Sequence, residues 1–162
     1  MKNLFADFRK TFGSGPAGVV ASLVLLFIAY LINRQLDLPP LTDNQPLLNG
    51  IFIAAIVLTL VLIAWSLRSL PAADRGNRLC TTGAFRYVRH PLYAAFLSVF
   101  NFGLAIWLNS YVYIAWALLL HPVWHYLVLD EERMMVATFG DDYREYRKRT
   151  RRFVPRFMKR SE

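Results

Sequence analysis

The chain has 162 residues, 56% of them hydrophobic, with 19 Lys and Arg against 11 Asp and Glu, and its mean hydropathy is +0.31. So apolar a composition beside so many basic residues excludes an ordinary soluble domain, unless charged and apolar residues occupy separate stretches. The single Cys80 excludes an intrachain disulfide, and a pI near 10.0 does not signal nucleic-acid binding here, because the basic stretches flank apolar runs.

The segregation is plain along the chain. Lys10 to Arg34 encloses 23 residues without a formal charge, Asp43 to Arg68 encloses 24, and Arg89 to Asp130 encloses 40 with His121 and His125 counted as neutral. A bilayer core takes about 20 helical residues, so these runs predict about four spans, the last run being a hairpin broken near Asn109-Ser110. Ahead of them, Leu4, Phe5, Phe8 and Phe12 share one helical face and predict a short interfacial helix over 1–12. No small-residue cleavage site follows, so no cleavable signal peptide is expected. Span one is expected over 16–33, ending before Asp37-Leu38-Pro39-Pro40, which cannot remain helical. Span two is expected over 47–67. Pro71 and Gly76 then open a loop over 71–85, in which Thr82-Gly83 suits a turn. Pro91 suits the first turn of span three, which should end near Leu108. Span four should run over 111–129 and continue as helix to about Phe139. Gly140 supplies a stop, and Asp141 or Asp142 can cap a last amphipathic helix carrying Tyr143 and Tyr146; Pro155 ends the pattern.

The expected fold is therefore all-α. It is a single polytopic membrane domain over 1–162, with the N-terminal helix and spans one and two in 1–70 and the site-bearing half in 71–162. Of the 19 basic residues, 18 fall on one side of a four-span arrangement. The positive-inside rule makes that side cytoplasmic, with both termini on it, in the plasma membrane for a bacterial chain, facing anionic lipid headgroups.

Chemistry-bearing residues gather at that basic end. Arg86-Tyr87-Val88-Arg89-His90-Pro91-Leu92-Tyr93 stands at the mouth of span three, where polar groups are costly unless something polar binds. Arg89 and His90 offer donors for a carboxylate or phosphate. Forty residues on, Glu131 and Glu132 offer acceptors for an amine or a ribose diol. Tyr143 and Tyr146, three apart, offer aromatic faces for a cation. His125 lies one helical turn from His121 in span four; with no third ligand at a recognisable spacing and Pro122 between them, a polar cofactor pocket or a helix–helix hydrogen bond fits better than a metal. Asn101, mid-span, is expected to bond across helices, and Cys80 to pack rather than react. A cationic and an anionic cluster flanking the same helices suit a small zwitterionic ligand at a membrane surface.

In order along the chain, Thr82-Gly83, Arg89-His90-Pro91-Leu92-Tyr93, Glu131-Glu132, Phe139-Gly140, Tyr143 with Tyr146, and Pro155 resemble the integral-membrane methyltransferases of the isoprenylcysteine carboxyl methyltransferase and phospholipid methyltransferase superfamily. The resemblance covers about the C-terminal half. Met135 stands where a leucine is usual, and Ala84-Phe85 where Pro-Tyr is common. The resemblance implies S-adenosylmethionine as cofactor, held at the cytoplasmic face by the last two spans and the C-terminal helix. Its carboxylate would meet Arg89 or His90, its amine and ribose Glu131 and Glu132, and its sulfonium the tyrosines. Tyr87 and His125 are then further cofactor contacts, with Arg89, Tyr93 and Tyr146 as the catalytic group that orients the acceptor or shapes the methyl path. The implied acceptor is a lipid or a small hydrophobic molecule. Two other classes stand beside this reading: an NADPH-dependent sterol-type membrane reductase, whose relatives carry an Arg-Asp pair and a Lys-Tyr-Gly run absent here, and a non-catalytic membrane adaptor on the same fold.

Overall fold

A computed structural model describes residues 13–71 and 78–155. The interfacial helix expected over 1–12, and the middle of the 71–85 loop, lie outside the described residues. Those described form five main helices, α1 (Gly15–Gln35), α2 (Gln45–Ser69), α3 (Pro91–Trp107), α4 (Tyr111–Leu127) and α5 (Leu129–Arg149), and one short 3-10 turn, Gly83–Arg86. Each starts where local chemistry favours a start. Pro16 and Pro46 occupy the first turns of α1 and α2, where a missing N–H costs nothing. Asn44 caps α2 by accepting from the Leu47 N–H at 3.0 Å, and Ser110 caps α4 by accepting from the Val112 N–H at 3.3 Å. The bounds of α1 to α4 lie within about two residues of those expected for the four apolar stretches. α3 contains one wide π-turn, Phe96–Phe100.

Helices α1, α2 and the nearly continuous Tyr111–Arg149 stretch are long and apolar enough to cross a membrane, while Pro91–Trp107 is a shorter apolar helix. At 17 residues α3 reaches about 26 Å at 1.5 Å per residue. The outer faces of α1 and α2 leave Val19, Leu23, Phe27, Ile53, Leu60 and Val61 more than half exposed, which hydrocarbon tolerates and water does not. The chain is an integral membrane protein.

Packing is centred on α4, whose Trp116, Ala117, Leu120 and Trp124 are buried with Leu97 and Ala105 of α3. Small residues permit the closest approaches. A Cβ at Gly18 would run into the Trp124 indole, and one at Gly103 into Ala55. Ser22 of α1 then receives both indoles of α4: Trp124 Nε1–H donates to its hydroxyl at 3.0 Å and Trp116 Nε1–H to its carbonyl at 3.2 Å. Among the described residues no cross-helix hydrogen bond involves Asn101, contrary to expectation; Ser22 fills that role, because the α1–α4 contact is close enough for a short side chain to bridge.

The two ends of the bundle differ. At one, the α3–α4 turn is locked to the α1–α2 loop. Asn109, at φ 57°, accepts from the Thr42 N–H at 3.1 Å and donates to the Thr42 carbonyl at 2.9 Å, while the Ser110 hydroxyl donates to Asn33 at 2.5 Å. The other end carries the charge.

Candidate active site

At the charged end, the loop before α3 is pinned to the end of α2. Gly83 takes φ 58°, and a Cβ there would meet the Ser69 side chain, so the turn needs glycine on both counts. The Ser69 hydroxyl accepts from the Ala84 N–H at 3.1 Å. The chain then extends through Val88–His90 and is met by the residues after α5. The Arg89 N–H donates to the Arg151 carbonyl at 2.8 Å and the His90 N–H to the Arg152 carbonyl at 3.1 Å, a parallel pairing centred on Val88 and Arg151. This return of the tail brings Arg152 beside Glu132.

Glu132, only 2% exposed, is the hub. Arg89 donates to its Oε1 through Nε at 2.9 Å and Nη2 at 2.6 Å, and Arg152 donates to its Oε2 at 2.8 Å. Arg147 Nε lies 3.8 Å from Oε2 and His90 Nε2 lies 3.6 Å from Oε1. Arg89 Nη1 also donates to the Thr150 carbonyl, and Arg152 Nη1 to the His125 carbonyl at 3.2 Å. Burial pushes the Glu132 carboxyl up, but His90 beside it and the hydrogen bonds from Arg152 and Arg89 outweigh that and hold the group well below the usual carboxylate range.

Glu131, one residue earlier, points to different partners. Its Oε1 accepts from the Tyr93 hydroxyl at 3.0 Å and from the Ser14 N–H, while its Oε2 lies 3.6 Å from His90 Nδ1. The Ser14 hydroxyl donates to the Leu127 carbonyl at 2.8 Å, so the start of α1 is tied to the α4–α5 junction. His90 and Tyr93 stack with ring centroids 5.6 Å apart and planes 9° apart.

A cavity of about 730 Å³ opens over these groups, lined by Arg89, His90, Glu131, Tyr143 and Tyr146, with Phe85, Met134 and Phe139 as apolar wall. Its volume falls in the range of small-molecule sites. Gly140, at φ 56° and ψ −127°, breaks α5 where a stop was expected, and this aims the following turn at the cavity. Tyr143 and Tyr146 meet edge to face at 6.0 Å. Tyr146 donates to the Phe85 carbonyl at 2.5 Å. Burial, with the Glu132 charge nearby, pushes Tyr143 up to about 12, and burial raises Tyr146 too; both phenols are neutral donors at neutral pH.

The structure thus gathers Arg89, His90, Tyr93, Glu131, Glu132, Tyr143 and Tyr146 at one end of the bundle, with three departures from expectation. The glutamates do not act as a pair, because successive helical residues face different directions: Glu131 lines the cavity and Glu132 is enclosed by arginines. Tyr87 is 52% exposed and packs on Trp65 at 5.7 Å, outside the cavity. His125 faces a second cavity and meets Phe153 edge to face at 6.2 Å. Ser14, Arg152 and Phe153 do not line this cavity but touch Glu131, Glu132 and His90 from behind, and were not singled out by sequence; a basic-aromatic pair shortly before Pro155 was the one available signal for the tail.

Together these features define a polytopic helical membrane protein with a charge-lined cavity at one bundle end. The chain belongs to the phospholipid methyltransferase family, whose model matches residues 47–142. It is also similar to a protein-S-isoprenylcysteine O-methyltransferase of Schizosaccharomyces pombe (strain 972 / ATCC 24843), with 31% identity over 83 residues, 51% of this chain and 35% of that relative. The chain therefore matches about a third of that relative's length. The family match contains Arg89, His90, Tyr93 and both glutamates; Tyr143, Tyr146 and the returning tail lie just beyond it.

Proposed function

We propose that this protein is an S-adenosylmethionine-dependent methyltransferase acting on a lipid or small hydrophobic acceptor at the cytoplasmic membrane face. The family and the relative's name support methyl transfer. The observation that carries the rest is a junction. Tyr93, whose hydroxyl reaches Glu131 in the polar cavity, also lines an apolar pocket of about 250 Å³ between α1, α3 and α4, walled by Val19, Leu23, Phe96, Trp116 and Trp124. A water-borne cofactor and an apolar acceptor would thus approach the same side chain from opposite directions.

The cavity fits the cofactor by its donor set. His90 keeps Nε2 buried without a hydrogen-bond partner, Glu131 offers an acceptor, and Tyr143 with Phe139 offers apolar and aromatic wall. S-adenosylmethionine supplies an electrophilic methyl group on sulfur. What remains for the protein is positioning and exclusion of water. In this reading Glu131 and His90 hold polar groups of the cofactor, Tyr143 and Tyr146 form its aromatic wall, and Tyr93 sets the approach of the acceptor. Arg89 and Glu132 hold the loop and tail in register, so their role is positioning. The basic end faces the cytoplasm, with α3 as the fourth span.

Calorimetry with S-adenosylhomocysteine tests the placement. A buried charge-assisted hydrogen bond contributes about 1.5–3 kcal/mol, so His90→Ala or Glu131→Ala should weaken binding ten- to a hundred-fold, roughly, by the same principle; wild-type affinity in both variants refutes it. A methylation assay in micelles, comparing lipid amines, prenylated thiols and water-soluble thiols, tests the acceptor. Methylation of the soluble thiol alone removes the lateral-entry reading. For orientation, a Pro40→Cys variant lacking Cys80 should label from outside only.

A further inference from the structure

A second cavity, of about 740 Å³, lies on the far side of the Arg89–Glu132 pair, between the end of α4 and the returning tail. Its lining includes Arg89, Arg147, Lys148, Arg151 and Arg152 and no Asp or Glu among the described residues. Two carboxylates hold lining cations: Glu132, shared among Arg89, Arg152 and Arg147, and Glu145, which pairs with Lys148 at 2.5 Å; against five basic lining residues they leave positive charge in excess there. Arg152 is 9% exposed in its side chain, and its Nε–H is buried with no hydrogen-bond partner. A buried guanidinium donor without an acceptor costs free energy that a ligand would recover. The same cavity has an apolar wall formed by Pro122, Leu129 and Val154. At its rim, Tyr126, 75% exposed, stands where the uncharged run gives way to charge, the depth at which membrane-interface aromatics sit.

We propose that this cavity binds the phosphate of an anionic membrane lipid, distinct from the methyl acceptor. Converging arginines recognise a phosphate oxygen set. The apolar wall accounts for an amphiphile rather than a free ion, and basic pockets beside membrane helices at this depth are suited to acidic headgroups. The site has a structural consequence. Arg152 joins the tail to Glu132, and Arg89 lines both cavities, so a bound lipid phosphate would brace the tail that pairs with Arg89 and His90 beside the first cavity. The proposal requires the membrane placement of α4, not any particular methyl donor or acceptor.

The test uses the full chain in neutral detergent, titrated in separate arms with phosphatidylglycerol, phosphatidylcholine and inorganic phosphate, and read by native mass spectrometry and thermal unfolding. Phosphatidylglycerol should bind about tenfold tighter than phosphatidylcholine and raise the melting temperature. Arg147→Gln/Arg151→Gln should abolish that preference, while the charge-matched Arg133→Gln/Arg144→Gln, at exposed positions on α5, should keep it. Equal loss in both double variants means diffuse surface charge and overturns the proposal, as does an equal response to inorganic phosphate, which means a free-anion site. If Arg147→Gln/Arg151→Gln does not fold, Arg151→Gln alone must still lower the preference, by several-fold. Arg151→Gln should leave S-adenosylhomocysteine affinity within about twofold, so failure here is separable from failure of the methyltransferase reading.

Discussion

The two ends of this bundle solve the same problem with different chemistry. At the neutral end, Asn109, Thr42, Ser110 and Asn33 tie two helix pairs together through amide and hydroxyl hydrogen bonds. At the charged end, Arg89, Glu132 and Arg152 tie a loop, a helix start and a tail through ion pairs. A buried ion cluster is an expensive fastener, because desolvation cancels much of the attraction. Its presence beside two cavities, and its absence from the neutral end, mark where the molecule needs field and donors as well as cohesion.

The contrast breaks most sharply at Glu132. Glu132→Ala leaves Arg89 and Arg152 buried without a counter-charge, and should cost about 3–5 kcal/mol, read as a large drop in melting temperature in detergent. The same residue sets the acid limb. Its folded pKa lies below its usual value of 4.5, so its contribution is fully present above about pH 4.5 and is lost as pH falls through the folded value. Melting temperature against pH should fall below about pH 4.5 in the wild type, and less steeply in Glu132→Gln; parallel curves would show that other carboxylates control the limb.

At the neutral end, Asn109→Ala removes two hydrogen bonds to Thr42 and places alanine at positive φ. It should cost about 1–3 kcal/mol, with no change in acid limb and no change in S-adenosylhomocysteine affinity. Loss of affinity in this variant would mean that the two ends are coupled through α3 and α4. The smallest effect is expected at the junction: Tyr93→Phe removes one hydroxyl from Glu131, at about 0.5–1.5 kcal/mol of stability. Its signature should be kinetic, with kcat falling more than melting temperature, measured by methyl transfer in micelles.

The helices were legible because their determinants are local. Uncharged runs bounded by Arg34, Arg68 and Asp130, prolines at the first turns, Asn109-Ser110 between α3 and α4, and Gly140 inside α5 act within a few residues of themselves. The order of Arg-His-Pro, paired glutamates and spaced tyrosines likewise carried the family. Sequence also gathered most of the site at one end, since the charge asymmetry puts those motifs on one face. Partner choice was not local. Arg89 reaches Glu132 across 43 residues and the Thr150 carbonyl across 61, and neither distance leaves a periodicity to read. Only the packed structure gave Glu131 and Glu132 their separate partners, turned Tyr87 and His125 away from the first cavity, and carried Arg152 back to the network. A buried charge takes whichever partner the assembled helices bring within hydrogen-bond reach, and that is fixed by packing around Trp116 and Trp124, through glycines and a serine whose role no spacing in the chain announces.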